Sequence, residues 1–312
     1  MARVDFNACV VLLDDGTYTR ATVRGALMGR TKSLGNTVVV GDVVTLAWEG
    51  SGPDAHPTIE AVTPRRNVFS RRASGKDLLE QVVAVNLDEV VVIAATVDPE
   101  FRAGLVDRVF AQCAHQALPA RLVMNKIDAG DRAEAAAIVA DYARAGFGGA
   151  LVSAHTGEGV DALRATLHGK RTMFFGHSGV GKSSLLNTLE PSFALLVGAV
   201  NDKTGKGRHT TTAATLLRPE PDVELIDTPG VRAFGLWGIE PETLDTAWPD
   251  FGPFLGHCRF DDCRHVSEPG CAVRAAVKEG SIALRRYDSF LKLREELLQE
   301  RELERGRSRG RF

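Results

Sequence analysis

Residues 176–184 read GHSGVGKSS and lie between an apolar run, RTMFF, and a helix-forming run, SSLLNTL. The pattern G-x-x-x-x-G-K-[ST] requires a strand that stops, a turn in which glycines let successive N–H groups point inward, and a helix presenting its positive N-terminus. That order of elements belongs to an α/β sheet in which ligands sit beyond the carboxyl ends of parallel strands. Gly176, His177, Ser178, Gly179, Val180, Gly181, Lys182, Ser183 and Ser184 are therefore the candidate phosphate-binding residues. Lys182 suits the β- and γ-phosphates, and the Ser183 hydroxyl suits Mg2+.

The surrounding chain agrees. Apolar runs at Glu89–Ala95, Arg121–Met124, Ala150–Val152, Thr172–Phe175 and Val223–Ile226 read as buried parallel strands. Helical stretches at Leu105–Ala117, Arg132–Ala145, Val160–Thr166 and Lys182–Leu189 fall between several of them, the alternation of a doubly wound sheet.

Four further segments follow predicted strands. Asp227-Thr-Pro-Gly230 places a carboxylate for Mg2+ and a backbone N–H for the γ-phosphate. Gly207-Arg-His-Thr-Thr-Thr212 offers a threonine to Mg2+, Thr211 or its neighbour Thr210, after a basic lead-in (NDKTGKG) expected as a mobile loop. Asn125-Lys126-Ile-Asp128 resembles a guanine reader. The Asp128 carboxylate can accept from guanine N1–H and the exocyclic amine, a pair that adenine does not offer. Lys126 can cover the base plane and Asn125 can tie loops together. Ser153-Ala154 resembles the second loop on the guanine side. Asn125, however, precedes Gly176 by about fifty residues. The order found is the usual circular order cut between the Asp227 loop and the base reader, and such a cut spares a site built at one sheet edge.

Residues 1–63 differ, with short β-rich runs (ACVVLL, YTRATVRGAL, TVVVGDVVTLAW, PTIEAVT) broken by Gly and Asp. They suggest a small β-barrel of five-stranded OB type, with an SH3-like barrel as the alternative. A basic linker is expected at 64–76, carrying Arg65, Arg66, Arg71, Arg72 and Lys76, and an Arg-rich tail at 301–312. Each reads either as a solvated segment or as a local nucleic-acid contact, because a net charge of −2 gives the whole chain no attraction for nucleic acid. The longest apolar stretches, such as Val90–Ala95, are too short to span a bilayer, and no secretory pattern opens the chain. A cytoplasmic protein without membrane contact is expected.

Residues 77–237 are expected to form the nucleotide domain, and 238–300 a further domain with a helix from Ile282 to about Glu304, striped by Leu284, Tyr287, Phe290, Leu293 and Leu297. Three of the five cysteines cluster there. Cys258, Cys263, His265 and Cys271 offer three thiolates and an imidazole within fourteen residues. Such ligands favour tetrahedral structural zinc, with a catalytic zinc or an accidental cluster as alternatives. Cys9 and Cys113, in apolar surroundings, are expected as buried thiols.

The motifs VVVGDVV, QVVAVNLDEV, NKID, GHSGVGKSSLLN, GRHTTT, DTPGVRAFGLW, CRFDDCRHVSEPGCAV and RYDSFLKLREE together resemble the circularly permuted ribosome small-subunit-dependent GTPase A (RsgA) family over nearly all of residues 35–296. The resemblance implies an N-terminal OB domain, a permuted GTPase domain and a C-terminal zinc domain. It also implies GTP hydrolysis stimulated by the 30S subunit late in maturation, with 16S rRNA as partner. A monomer suits such a docking factor. Val231 stands where familiar GTPases carry a water-orienting Gln, so slow turnover is expected without help. His209 is the candidate replacement, the alternative being a histidine that faces phosphate or RNA. A nucleotide hydrolase without an RNA partner, and an RNA-binding protein with a dead pocket, are the competing classes.

Overall fold

The described residues among 1–63 build five short strands, β1 (Arg3–Asp5), β2 (Ala8–Leu12), β3 (Tyr18–Val23), β4 (Val44–Glu49) and β5 (His56–Val62). The computed structural model describes residues 1–5, 8–27, 37–50, 56–73, 79–204, 214–229 and 234–309. β1, β2 and β3 pair antiparallel, β3 then pairs parallel with β5, and β5 pairs antiparallel with β4. The core of this unit is Met1, Cys9, Val11, Ala21, Val38 and Ile59.

A hairpin follows, β6 (Val68–Arg72) with β7 (Glu80–Val85). Sequence reasoning made residues 64–76 a linker, yet β6 lies inside that range because Phe69 and Ser70 are buried. Three of its arginines are held by carboxylates: Arg65 on Asp42 at 2.8 Å, Arg66 on Asp88 at 2.6 Å, and Arg72 on Glu300 at 2.9 Å and on Glu304.

The chain then alternates: β8 (Glu89–Ala95), α1 (Ala103–His115), β9 (Ala120–Asn125), α2 (Arg132–Arg144), β10 (Gly148–Leu151), α3 (Val160–Ala165), β11 (Lys170–Gly176), α4 (Lys182–Leu189), α5 (Phe193–Thr204), β12 (Thr215–Glu220) and β13 (Val223–Asp227). The strands lie in the order β10-β9-β8-β11-β13-β12, parallel except for β12. All seven residues of β8 are buried, as a strand covered on both faces requires. Val90, Val92 and Ala94 face the core under α1 and α2, while Val91, Ile93 and Ala95 face that under α3, α4 and α5. This is the period-two alternation of a strand. β1 also bonds β12, so the N-terminal strands continue the sheet to eleven among the described residues.

Helix α5 has no counterpart in the sequence expectations, which treated NDKTGKG as loop; Asn201–Thr204 lie in the helix. The driving force is the preceding FALLVGAV run, whose Phe193 and Val200 are buried in the core shared with β2 and β12.

Beyond β13 come 3-10 turns at Leu244–Ala247 and Pro249–Phe254, then α6 (Ala272–Lys278) and α7 (Leu284–Arg309). Tyr287, Phe290, Leu293 and Leu297 are buried as the stripe predicts, but Leu284 is 62% exposed, leading the stripe by one turn beyond its cover. The expected tail from Arg301 is instead helix as far as Arg309, tied by Arg301 to Glu242 at 2.8 Å. α7 is keyed to α1 and the second 3-10 turn by Arg286, a fully buried guanidinium that bonds Asp107 on α1 and Asp250 at 2.8 Å and lies 4.5 Å from the Trp248 ring. Among the described residues no helix is long and apolar enough to cross a membrane.

Candidate nucleotide site and Cys3His cluster

Adjacent parallel strands β8 and β11 lead away from each other in chain order, toward β9 and β10 on one side and β13 and β12 on the other. That divergence is the topological switch point, where a crevice opens beyond the strand ends. β11 ends there at Gly176, and α4 begins at Lys182. Gly181 sits at φ +85°, and a Cβ on it would lie 2.5 Å from Asn125 Nδ2. Glycine is thus required by the close approach of a residue more than fifty positions earlier.

Asn125, at the end of β9, is the joint of the site. Its Nδ2 donates to Val180 O at 3.0 Å, and its Oδ1 accepts from Ala154 N at 3.0 Å. One buried amide therefore ties the Asn-Lys-x-Asp loop to the phosphate loop and to Ser153-Ala154. Thr188 of α4 donates to Ala154 O at 3.1 Å, closing the same triangle. Asp128 is exposed toward solvent, and a hydrogen bond from the Ser153 side chain holds its carboxyl below the usual range. Lys126 adopts φ +63°, and its ammonium donates to Asp98 O at 2.5 Å.

Across the crevice, Lys182 forms a buried ion pair with Asp227, the last residue of β13. Burial raises the Asp227 pKa, and the Lys182 ammonium opposes that rise. Thr228 anchors the start of the next loop by donating to Phe174 O at 2.7 Å. Ser183 and Ser184 are exposed in the first turn of α4, as are His177, Ser178 and Gly179 in the loop. The expected partners His209, Thr210, Thr211, Gly230 and Val231 lie outside the described residues. What is placed can cradle phosphates with backbone N–H groups, supply one cation, and present an oriented carboxylate to a base.

The second cluster is equally local. Cys258, Cys263, His265 and Cys271 place all four candidate ligand atoms within 4.8 Å of one another. His265 Nδ1 is 3.5, 3.6 and 3.4 Å from the sulfurs of Cys258, Cys263 and Cys271, and Cys258 Sγ is 3.9 Å from Cys271 Sγ. Tetrahedral zinc with Zn–S of about 2.3 Å and Zn–N of about 2.0 Å gives edges of about 3.5–3.8 Å, so the donor set fits that ion. Backbone N–H groups of Ala272 and Arg274 point at Cys258 and Cys271 sulfurs, at 3.4 and 3.5 Å. The other ring nitrogen of His265 meets Asp245 Oδ2 at 3.3 Å, and Tyr287 donates to His265 O at 2.7 Å. Asp245 fixes the imidazole in the way carboxylates fix metal-bound histidines, while Tyr287 holds the backbone of the same residue. Neither was foreseen, because each lies more than a dozen residues from the cluster and no ligand spacing announces it. Thr96 and Asp98 were missed too; ATVDPEF carries no phosphate or base motif.

A phosphate loop at the switch point, read against a base loop that arrives two strands too early, defines a P-loop GTPase domain with a permuted chain. Comparisons with known proteins reach the same class independently. The profile of the RsgA GTPase family matches residues 62–237, and the chain belongs to that family. It is 40% identical over 289 residues to the small ribosomal subunit biogenesis GTPase RsgA of Gemmatimonas aurantiaca, covering 92% of this chain and 93% of that protein. The protein of that description from Yersinia enterocolitica is 40% identical over 297 residues, with 91% and 81% covered. Among solved structures, YjeQ from Thermotoga maritima superposes with a TM-score of 0.72 at 30% identity, over 95% of this chain and 97% of that one. YloQ, described as a circularly permuted GTPase, shares the fold with a TM-score of 0.69 at 24% identity, covering 96% and 94%.

Proposed function

We propose that this chain is a GTP hydrolase of small ribosomal subunit biogenesis, slow alone, stimulated by the 30S subunit, and released or retained according to its nucleotide. The observation that carries the nucleotide half is the double hydrogen bond of Asn125, which joins base reader, second base loop and phosphate loop into one site. The ribosomal half rests on the relatives, which share 40% identity across most of both chains and are described as biogenesis GTPases of that subunit.

In this reading the loop from Gly176 to Ser184 wraps the β-phosphate, and Lys182 exchanges Asp227 for the β- and γ-phosphate oxygens when GTP enters. Mg2+ offsets phosphate charge when bound, and Ser183, Asp227 and Thr211 are the residues that would hold it. The Gly230 N–H meets the γ-phosphate, Asp128 accepts from guanine, and Ser153-Ala154 closes the base pocket. His209 orients the attacking water in place of the glutamine that Val231 replaces. The nucleotide domain spans 77–237, with the zinc-bearing unit at 238–300. Cys258, Cys263, His265 and Cys271 would hold one structural zinc, which leaves no open position for catalysis. Residues 1–63 are an OB-type barrel rather than an SH3-like one, supported by the parallel pairing of β3 with β5. Such barrels bind single-stranded or distorted RNA, which suits 16S rRNA as contact, a monomer as docking unit and the cytoplasm as location.

If GTP state controls docking, co-sedimentation with purified 30S subunits is tighter with a nonhydrolysable GTP analogue than with GDP, and weakens as salt rises. Equal affinity in the two states contradicts the switch.

A further inference from the structure

We infer that Thr96 is a positioning residue for guanine recognition, acting through the carbonyl of Lys126. Thr96 is the first residue after β8, across the switch point from the phosphate loop. Its Oγ1 donates to Lys126 O at 2.7 Å, and its own N–H donates to Asn125 O at 3.2 Å. The same Lys126 oxygen also accepts from Ala129 N at 3.0 Å and Gly130 N at 3.3 Å. Three donors thus converge on one carbonyl, and the threonine hydroxyl is the one supplied from outside the loop.

The convergence has a reason. Lys126 stands at φ +63°, a left-handed conformation that L side chains rarely adopt. Asp128 follows two residues later, so rotation at Lys126 swings its carboxylate away from where a base edge must lie. Gly130 closes the loop directly on this brace: a Cβ there would lie 2.5 Å from both Thr96 Cβ and Oγ1. Lys126 reaches back past Thr96 to Asp98 O at 2.5 Å, fastening the loop to the same segment a second time. Thr96 therefore sets the turn, while Asn125 sets the position of the loops relative to each other.

The inference rests on Asp128 being the guanine-facing carboxylate, and inosine nucleotides separate the two claims. Hypoxanthine keeps N1–H but lacks the 2-amino group, so the GDP:IDP affinity ratio reads how well the carboxylate is aimed. Calorimetric titration of the intact protein with GDP and IDP is the experiment, on wild type, Thr96→Val and Thr96→Ser. Thr96→Val keeps the shape and removes the donor. It is expected to weaken GDP about tenfold, the scale of one hydrogen bond, and IDP less, so that the ratio falls. Thr96→Ser, which restores the hydroxyl, recovers most of the ratio. A Thr96→Val protein with the wild-type GDP affinity and ratio overturns the inference, as does a Thr96→Ser protein that fails in the same way. A wild-type ratio near one overturns the reading of Asp128 itself, and the inference with it.

Discussion

In the function proposed here, Asp128 and Asn125 divide the labour of base recognition between two kinds of contact. Asn125 is buried and spends both ends of its amide on protein backbone, so its replacement loosens the whole site. Asp128 is exposed, and its carboxylate accepts from the Ser153 side chain and from its own backbone N–H, which leaves acceptor capacity for a base. Replacing Asp128 with Asn exchanges an acceptor for a donor. Asp128→Asn is therefore expected to lose about a hundredfold in GTP affinity and to gain xanthosine triphosphate, whose 2-oxo group accepts from the new amide. Competition binding with the two nucleotides checks this; unchanged GTP preference removes Asp128 from base reading. Residues proposed for such contacts stand out in the sequence because a phosphate or a purine edge dictates both residue type and spacing. Thr96, Asp98 and Asp245 were not legible. Each acts on protein atoms, Thr96 on a carbonyl, Asp98 on the Lys126 ammonium and Asp245 on an imidazole nitrogen, and such partners leave no fixed interval in the chain.

Elements were legible where burial is two-sided. β8 is buried at every position and β11 at all but its first two residues, so their apolar runs stand out, and the helices between them fall where periodicity placed them. Misreadings came where tertiary contacts overrode local signals. The segment from Arg65 through β6 carries arginines that look like a solvated linker, yet Asp42, Asp88 and Glu300 neutralise Arg65, Arg66 and Arg72. α5 runs into a polar Asn-Asp-Lys-Thr segment that reads as loop. α7 outlasts its apolar stripe because Arg301 is pinned to Glu242 and the carboxylates of Glu300 and Glu304 reach Arg72. The most consequential of these contacts is Arg286, which joins α7 to α1 through Asp107 and to the 3-10 turn through Asp250. Removing one partner of a buried ion pair strands the others. Arg286→Met should therefore cost about 3–5 kcal/mol in chemical denaturation followed by far-UV circular dichroism. A cost below about 1 kcal/mol would mean that α7 docks by its apolar face alone.

At the scale of the molecule, the permutation decides what the nucleotide domain is connected to. The Asp227 loop leads into a segment fastened to α1 by the reciprocal Gln112–Trp237 hydrogen bonds, at 3.0 and 2.8 Å, and from there to the Cys3His cluster. The base-reading half instead starts from the β6–β7 hairpin. On the far edge, Arg171 of β11 bonds Gly41 O at 2.7 Å and Glu224 at 2.6 Å, so the phosphate-loop strand also grips the N-terminal unit. Permutation thus ties the strands that carry the candidate phosphate loop and Asp227 to both flanking units, β11 through Arg171 and β13 through the chain that follows it, an arrangement suited to reporting nucleotide state to a large partner. The most direct measurement of the central claim is steady-state hydrolysis of GTP and of ATP, each with and without purified 30S subunits. Slow GTP turnover that rises at least about tenfold with 30S, and no comparable ATP turnover, is the predicted result. GTP turnover that ignores the subunit, or ATP turnover that matches it, would contradict a 30S-dependent GTPase.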